Sequence, residues 1–568
     1  MPQVDSFRAP LSKSKSNVKK TKKLDAVEGL VVHDLTEIKV PRGVRTLVAT
    51  ESRDAAIRDC RRKVEKISRE CRMDNVKYRD PHFDFMSNPE FCLNGLKQQT
   101  GEGDRVADPS AWKRVGDIYD NPKFIVDGID AGDIKQGGAG DCWFLAAVAT
   151  IANMPSLLES ICVARDEKVG VYGFIFFRDG EWISEVIDDQ LFITHPSYAE
   201  ADYDIKRAFA NEAEYIKSLQ RGSSALHFAS CEDSNETWLP LLEKAYAKAH
   251  GDYAAIEGGY TGEGVEDLTG GVTTEILTED ILDRDQFWNE ELLNVNKELL
   301  FAGWIFDVAA DFVNGIKTGH AYSVLKAVEI QNQRFVKFGD DGAFWMSYED
   351  FLTTFTAIDR TRVFSPEWTI AQAWTQCHVE WPAQFAEEQF SFTLSQSGPV
   401  VIVLQQADAR YFLGLDGQYD FKLHFRVRRE GDEEYFARSR QTITMKRSVN
   451  KELHLEAGTW IVSFRVSRSP SGRTRRGAYV EKYMKEQSNK FLSVARNFDY
   501  AHAKGVVGDL EWEDAEEDEQ EEDPKLEVTL IQNADAAPEE LDPDDSSVTA
   551  FLYSSPNQAN FLSSNLSP

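Results

Sequence analysis

The chain has 568 residues, with 95 acids against 64 bases, a formal net charge of −31, 42% hydrophobic and 11% aromatic residues. That length holds three or four ordinary domains with a sizeable core, and so acidic a balance argues against nucleic acid and anionic membrane while leaving calcium or basic protein segments as partners. The longest nearly unbroken apolar run, around WFLAAVATIANM, is too short to cross a bilayer, and MPQVDSFRAPLSKSKS lacks the apolar core of a secretory signal.

Residues 1–51, with KSKSNVKKTKK near the start, read as a disordered basic arm. Over 52–78 the spacing of Ile57, Cys60, Val64, Ile67 and Cys71 predicts an amphipathic helix with one apolar seam, in which both cysteines pack. From 79 to 364 helices and strands mix. VYGFIFFRDGEWISEVIDD predicts two strands around an Asp-Gly turn, WLPLLEKAYAKAHG a helix closed by glycine, and the glycines of GGYTGEGVEDLTGG (258–271) a hinge between lobes at about 79–260 and 261–364. Residues 365–468 carry short β-rich runs, FSFTLSQ, PVVIVLQQ, FKLHFRV, QTITMK and TWIVSFRV, which predict a β-sandwich. A helical segment follows over 469–506, with Val480, Tyr483, Met484, Phe491, Val494, Ala495 and Phe498 on one side. The stretch 507–568, with EWEDAEEDEQEED inside it, reads as an acidic disordered tail.

The seven cysteines (60, 71, 92, 142, 162, 231 and 377) are odd in number and scattered, which predicts free thiols in a reducing cytosol and excludes a zinc finger. Cys142, in GAGDCWFLAAV, stands apart. It follows a glycine-rich turn and begins an apolar helix, where unpaired backbone N–H groups lower a thiol's pKa. A cysteine nucleophile needs a histidine to take its proton, and GHAYSV places His320 before a strand-like run. Gln136 can add a side-chain N–H to an oxyanion hole. Taken alone, packing is the commoner fate of such a cysteine.

QGGAGDCWFLAA with TGHAYSVL resembles the calpain family of calcium-dependent intracellular cysteine proteases, and the resemblance continues through KYRDPHFDF, GEWISEVIDDQL, ETWLPLLEKAYAKAHGDYAAIEGG, EGVEDLTGGVT and DGAFWMSYEDFL. It implies an α+β fold: a papain-like two-lobed protease core over 79–364, then a calpain-type antiparallel β-sandwich, between disordered termini. It also implies Cys142 as nucleophile, His320 as general base and Gln136 as oxyanion donor. Calcium is the implied cofactor, held in the first lobe by the backbone oxygens of Val126 and Gly128 and the carboxylates of Asp133 and Glu236.

The sequence departs from the family in one place. The strand RFVKF (334–338) runs straight into GDDGAFWM, where family members carry a Trp-rich loop and an Asn-Pro-Trp-Gly motif whose Asn orients the catalytic imidazole. Three explanations stand side by side: a loop missing only from this sequence, a degenerate member kept for binding, or Asp340 orienting His320 instead. The second-lobe calcium site is reduced to Asp341, with Ala343 where the family has an acid. No stretch matches an EF-hand loop, so no module for a calpain small subunit is expected. The reading is a cytoplasmic calcium-dependent cysteine endopeptidase making limited cuts in protein substrates. The alternative is a catalytically impaired homologue acting as a binding or regulatory protein.

Overall fold

The computed structural model describes residues 30–32, 51–96, 109–306, 311–339, 343–365, 368–379, 381–415, 417, 419–471, 476–505, 528–531 and 546–554. Within the stretch read as a basic arm, β1 (Leu30–Val32) forms the edge of a four-stranded antiparallel sheet. The apolar seam of α1 (Glu51–Asp74) buries Ile57, Cys60 and Val64 against that sheet, with Ile67 and Cys71 partly covered. Then comes α2 (Cys142–Ala152), in which every residue from Trp143 onward is buried. The other strands of the sheet are β2 (Cys162–Asp166), β3 (Val171–Arg178) and β4 (Glu181–Asp188). The β3–β4 hairpin turns at Asp179 and Gly180, both at positive φ (46° and 85°), as Asp-Gly predicts.

A helix with no polar face must be covered all round. On one side of α2 lies α3 (Trp238–His250), where the Phe144 and Tyr246 rings stack with centroids 4.0 Å apart. Gly251 ends α3 at φ 111°. On another side lies α4 (Thr261–Thr269), also buried throughout. The stretch expected to be a hinge is thus a packed helix, and some of its glycines serve close approach: a Cβ on Gly264 would lie 2.8 Å from the Ala147 methyl.

The second lobe is a six-stranded antiparallel sheet. In chain order its strands are β5 (Val272–Leu277), β6 (Leu299–Trp304), β7 (Ala321–Ile330), β8 (Gln333–Gly339), β9 (Ala343–Ser347) and β10 (Ala357–Arg362), arranged β9-β8-β7-β6-β10-β5. Its core centres on Trp288, Phe301, Val324, Phe338, Phe351 and Ile358.

Two further sheets follow. One contains β11 (Thr369–Cys377), β13 (Gly398–Gln406) and β16 (Ser448–Leu455); the other contains β12 (Gln389–Leu394), β14 (Tyr419–Arg429), β15 (Ala437–Arg438) and β17 (Gly458–Pro470). Two expectations fail here. QTITMK is a loop, not a strand: both oxygens of Glu275, on β5, hold its amides, with Ile443 N at 2.7 Å and Met445 N at 3.2 Å. And the stretch expected to be a disordered tail supplies β18 (Val528–Ile531), beside β12, and β19 (Ser546–Ser554), which lies between β11 and β13. The acidic run 511–523 lies outside the described residues.

The single helix expected over 469–506 is two, α5 (Arg476–Glu486) and α6 (Ser488–Gly505). Tyr483, Phe491, Val494 and Phe498 join Leu96 and Leu415 in a small apolar cluster, whereas Val480 and Met484 are exposed. No helix among the described residues is long and apolar enough to cross a membrane.

The β-rich part is tied to the protease part by buried charge. Arg447 donates to Asp267 Oδ1 (2.6 Å), Glu266 Oε2 (2.7 Å), Asp408 Oδ2 (3.0 Å) and the Glu263 carbonyl (3.1 Å). His250, Asp267 and Asp408 lie close enough together to share a metal ion, but the guanidinium already supplies the cation that the two carboxylates need. Replacing Arg447 with Met leaves three buried carboxylates without it, so a loss of about 3–5 kcal/mol is expected in urea denaturation.

Candidate active site

The turn before α2 is held from several sides. Gly138 N donates to the His227 carbonyl at 2.7 Å, and Gly258 N to the Gly140 carbonyl at 2.8 Å. A Cβ on Gly137 would sit 2.2 Å from the Phe228 carbonyl oxygen, so only glycine fits there. This turn delivers Cys142 to the first helical position of α2, while the Asp141 carbonyl accepts from Phe144 N (2.8 Å) and Leu145 N (3.0 Å).

The Cys142 thiol is half-buried. Cys60, Cys92, Cys162 and Cys231 are fully buried, and burial raises their pKa, to about 12 for Cys92 and Cys162. A thiol so shielded stays protonated and inert. His320 is half-buried, immediately before β7, with its ring edge-on to Tyr322 (centroids 5.2 Å apart). The helix headed by Cys142 packs directly against the strand that His320 precedes. Gln136 is exposed, and its amide donates to the Ala139 carbonyl at 2.9 Å, which leaves its second N–H for another acceptor.

The β8–β9 hairpin closes tightly, with Gly339 opposite Ala343. Only residues 340–342 connect the strands. Asp340 and Asp341 lie outside the described residues.

The four residues assigned to calcium converge in part. Glu236 is 1% exposed; its Oε1 accepts from Val126 N at 2.8 Å, and its Oε2 is buried with no partner. Burial first, and the nearby Asp133 charge as well, push the Glu236 carboxyl up to about 7. Asp133 accepts from Asp130 N at 2.8 Å, and its own pKa is raised by burial and by neighbouring acids. Between Val126 and Gly128 the chain turns at positive φ, 56° at Asp127 and 101° at Gly128. An orphaned buried carboxylate oxygen beside a second carboxylate fits a hard cation that takes oxygen ligands.

Residues 78–338 match the calpain family of cysteine proteases. This stretch is a calpain-family cysteine protease domain. It is 28% identical to Calpain-8 of Mus musculus over 354 residues, covering 52% of this chain and 44% of that protein. It is 30% identical to the Calpain-1 catalytic subunit of Bos taurus over 307 residues, covering 44% and 37%. The chain thus spans less than half the length of these calpains. Procathepsin L 3 of Tenebrio molitor aligns with 55% of this chain and 91% of its own at 11% identity, with a TM-score of 0.16, too low to carry an argument.

Two features of this site had no signal in the sequence. Trp143, next to the cysteine, donates from its indole to the Ile256 carbonyl at 2.8 Å and lies under the Arg410 guanidinium, 4.2 Å from the ring centroid. Arg410 comes from the 3-10 turn Ala409–Phe412 in the β-rich part, and also donates to the Gly258 carbonyl (2.7 Å) and Glu263 (3.1 Å). The second is Asp141, whose side chain caps nothing in α2 although aspartate is among the favoured capping residues. A Cβ on Gly259 would fall 2.4 Å from Arg410 Nη2 and 2.5 Å from the Trp143 ring. Gly259→Ala is therefore expected to break the Arg410–Trp143 stack and lower stability by about 1–3 kcal/mol, as measured by guanidinium denaturation.

Proposed function

We propose that this calpain is a calcium-regulated cysteine endopeptidase that makes limited cuts in protein substrates inside the cell. The observation that carries this reading is the half-buried Cys142 at the start of α2, packed against the strand that His320 precedes. In the proposed reaction, His320 takes the thiol proton as sulfur attacks the scissile carbonyl carbon. The oxyanion is met by backbone N–H at the helix start and by the free N–H of Gln136. His320 then protonates the departing amine, and water, deprotonated by the same imidazole, releases the acyl group and regenerates the thiol.

Val126, Gly128, Asp133 and Glu236 would hold calcium, whose charge would neutralise the two carboxylates. Isothermal titration is expected to find one calcium site in the parent protein and to lose most of that binding in Glu236→Ala. Two tight sites would contradict the reading of Asp341 and Ala343 as a remnant.

The three-residue connection between β8 and β9, where the family carries its Asn-bearing loop, favours a second reading, an impaired homologue used for binding or regulation. The family's Asn fixes the imidazole tautomer, and loss of that fixation costs about 10⁴ in turnover in serine triads. A casein assay with calcium, with Cys142→Ala as blank, separates the readings. Cleavage that disappears in the blank supports the endopeptidase. No cleavage, with Cys142 still labelled by a peptide epoxide, supports the impaired homologue.

A further inference from the structure

The residue before the nucleophile carries a carboxyl group with no evident task. Asp141 is fully buried, and neither side-chain oxygen meets a donor as a carboxylate. It occupies the capping position of α2 yet accepts nothing from the helix's first turn. Its carboxyl instead meets that of Glu243, on α3, which is 1% exposed. Both Glu243 oxygens accept from Ala229 N at 3.1 Å, so the backbone fixes this second carboxyl from its far side.

Two ionised carboxylates in contact in a dry interior repel strongly, and a proton between them supplies the missing donor. We propose that Asp141 and Glu243 share one proton and act as positioning residues for Cys142, with Glu243 donating to the Asp141 carboxylate and the remaining negative charge lying against the first turn of α2. That charge draws on the same helix-terminal N–H field that favours the thiolate, so the pair sets how readily Cys142 ionises.

The surroundings support this assignment. Burial pushes the Asp141 carboxyl up to about 6, and burial with the Asp141 charge raises Glu243 well above the usual carboxylate range. Glu257 faces Asp141 and raises it further, while accepting from Gly140 N at 3.4 Å. Tyr253 lies near both carboxyls, and its phenol is held protonated by burial. His227 flanks the turn at Gly138. The cations of α3 are engaged elsewhere, Lys244 with Asp188 (2.5 Å) and Lys248 with Asp80 (2.9 Å). Asp141 folded this way carries its proton only below about pH 6, and its charge is present at neutral pH.

The test reads alkylation of the thiol, not proteolysis, so it succeeds or fails independently of whether the chain cleaves proteins. Iodoacetamide labelling of the Cys142 peptide is followed by mass spectrometry against pH, with a urea midpoint for each variant as a check on folding. Glu243→Gln keeps the arrangement: its amide N–H donates to Asp141 and its oxygen accepts from Ala229 N. Its labelling midpoint should match that of the parent. Asp141→Asn removes the charge next to the thiol and should lower the midpoint by about one pH unit. Equal midpoints in the parent and both variants, or equal shifts in the two variants, would overturn the proposal and leave the pair a packing feature.

Discussion

A helix apolar on every side, Trp143–Ala152, has only one place where it can meet solvent, and that is its start. The rest of the protease part follows from this constraint. Phe144 needs Tyr246, so α3 lies alongside. Ala147 needs a neighbour without a side chain, so α4 presents Gly264. The second-lobe sheet covers a further side with β7, and this carries His320 toward the thiol's helix. Burying the helix and presenting its first residue are one event: the glycine turn that allows close packing against 227–228 also delivers Cys142 to the first position.

What the sequence made legible was local or periodic. The seam of α1, the Asp-Gly hairpin and the glycine stop of α3 each follow from residues within a turn or two of one another. The illegible parts depend on distant partners. QTITMK alternates like a strand, yet Glu275, more than 160 residues away, holds its amides as a loop. Distance along the chain likewise hides Arg410 from Trp143 and Glu243 from Asp141. The glycines of 258–271 looked like a hinge because freedom of the backbone and room for a neighbour have the same composition; here several provide room. Strands β18 and β19 were masked by the acidic composition around them, which dilutes the short runs VTLI and SSVTAFLYS.

The two residues of the proposed pair, Cys142 and His320, draw their support from different parts of the molecule. On the sulfur side, the turn, Trp143 and Arg410 fix the helix start through contacts that reach into the β-rich part. On the imidazole side, His320 lies edge-on to the Tyr322 ring just before β7, which pairs with β8 in the second-lobe sheet.

Strand β19 pairs with β11 on one edge and β13 on the other, and these two do not pair with each other. Protein synthesis is vectorial, so the flanking strands leave the ribosome well before residues 546–554 and wait with open edges. The sheet that leads into the Arg410 turn and Arg447 therefore closes only after residue 554 has been made. The contacts that fix the start of the Cys142 helix from this side thus cannot all form until residues 546–554 have been made and inserted between their neighbours.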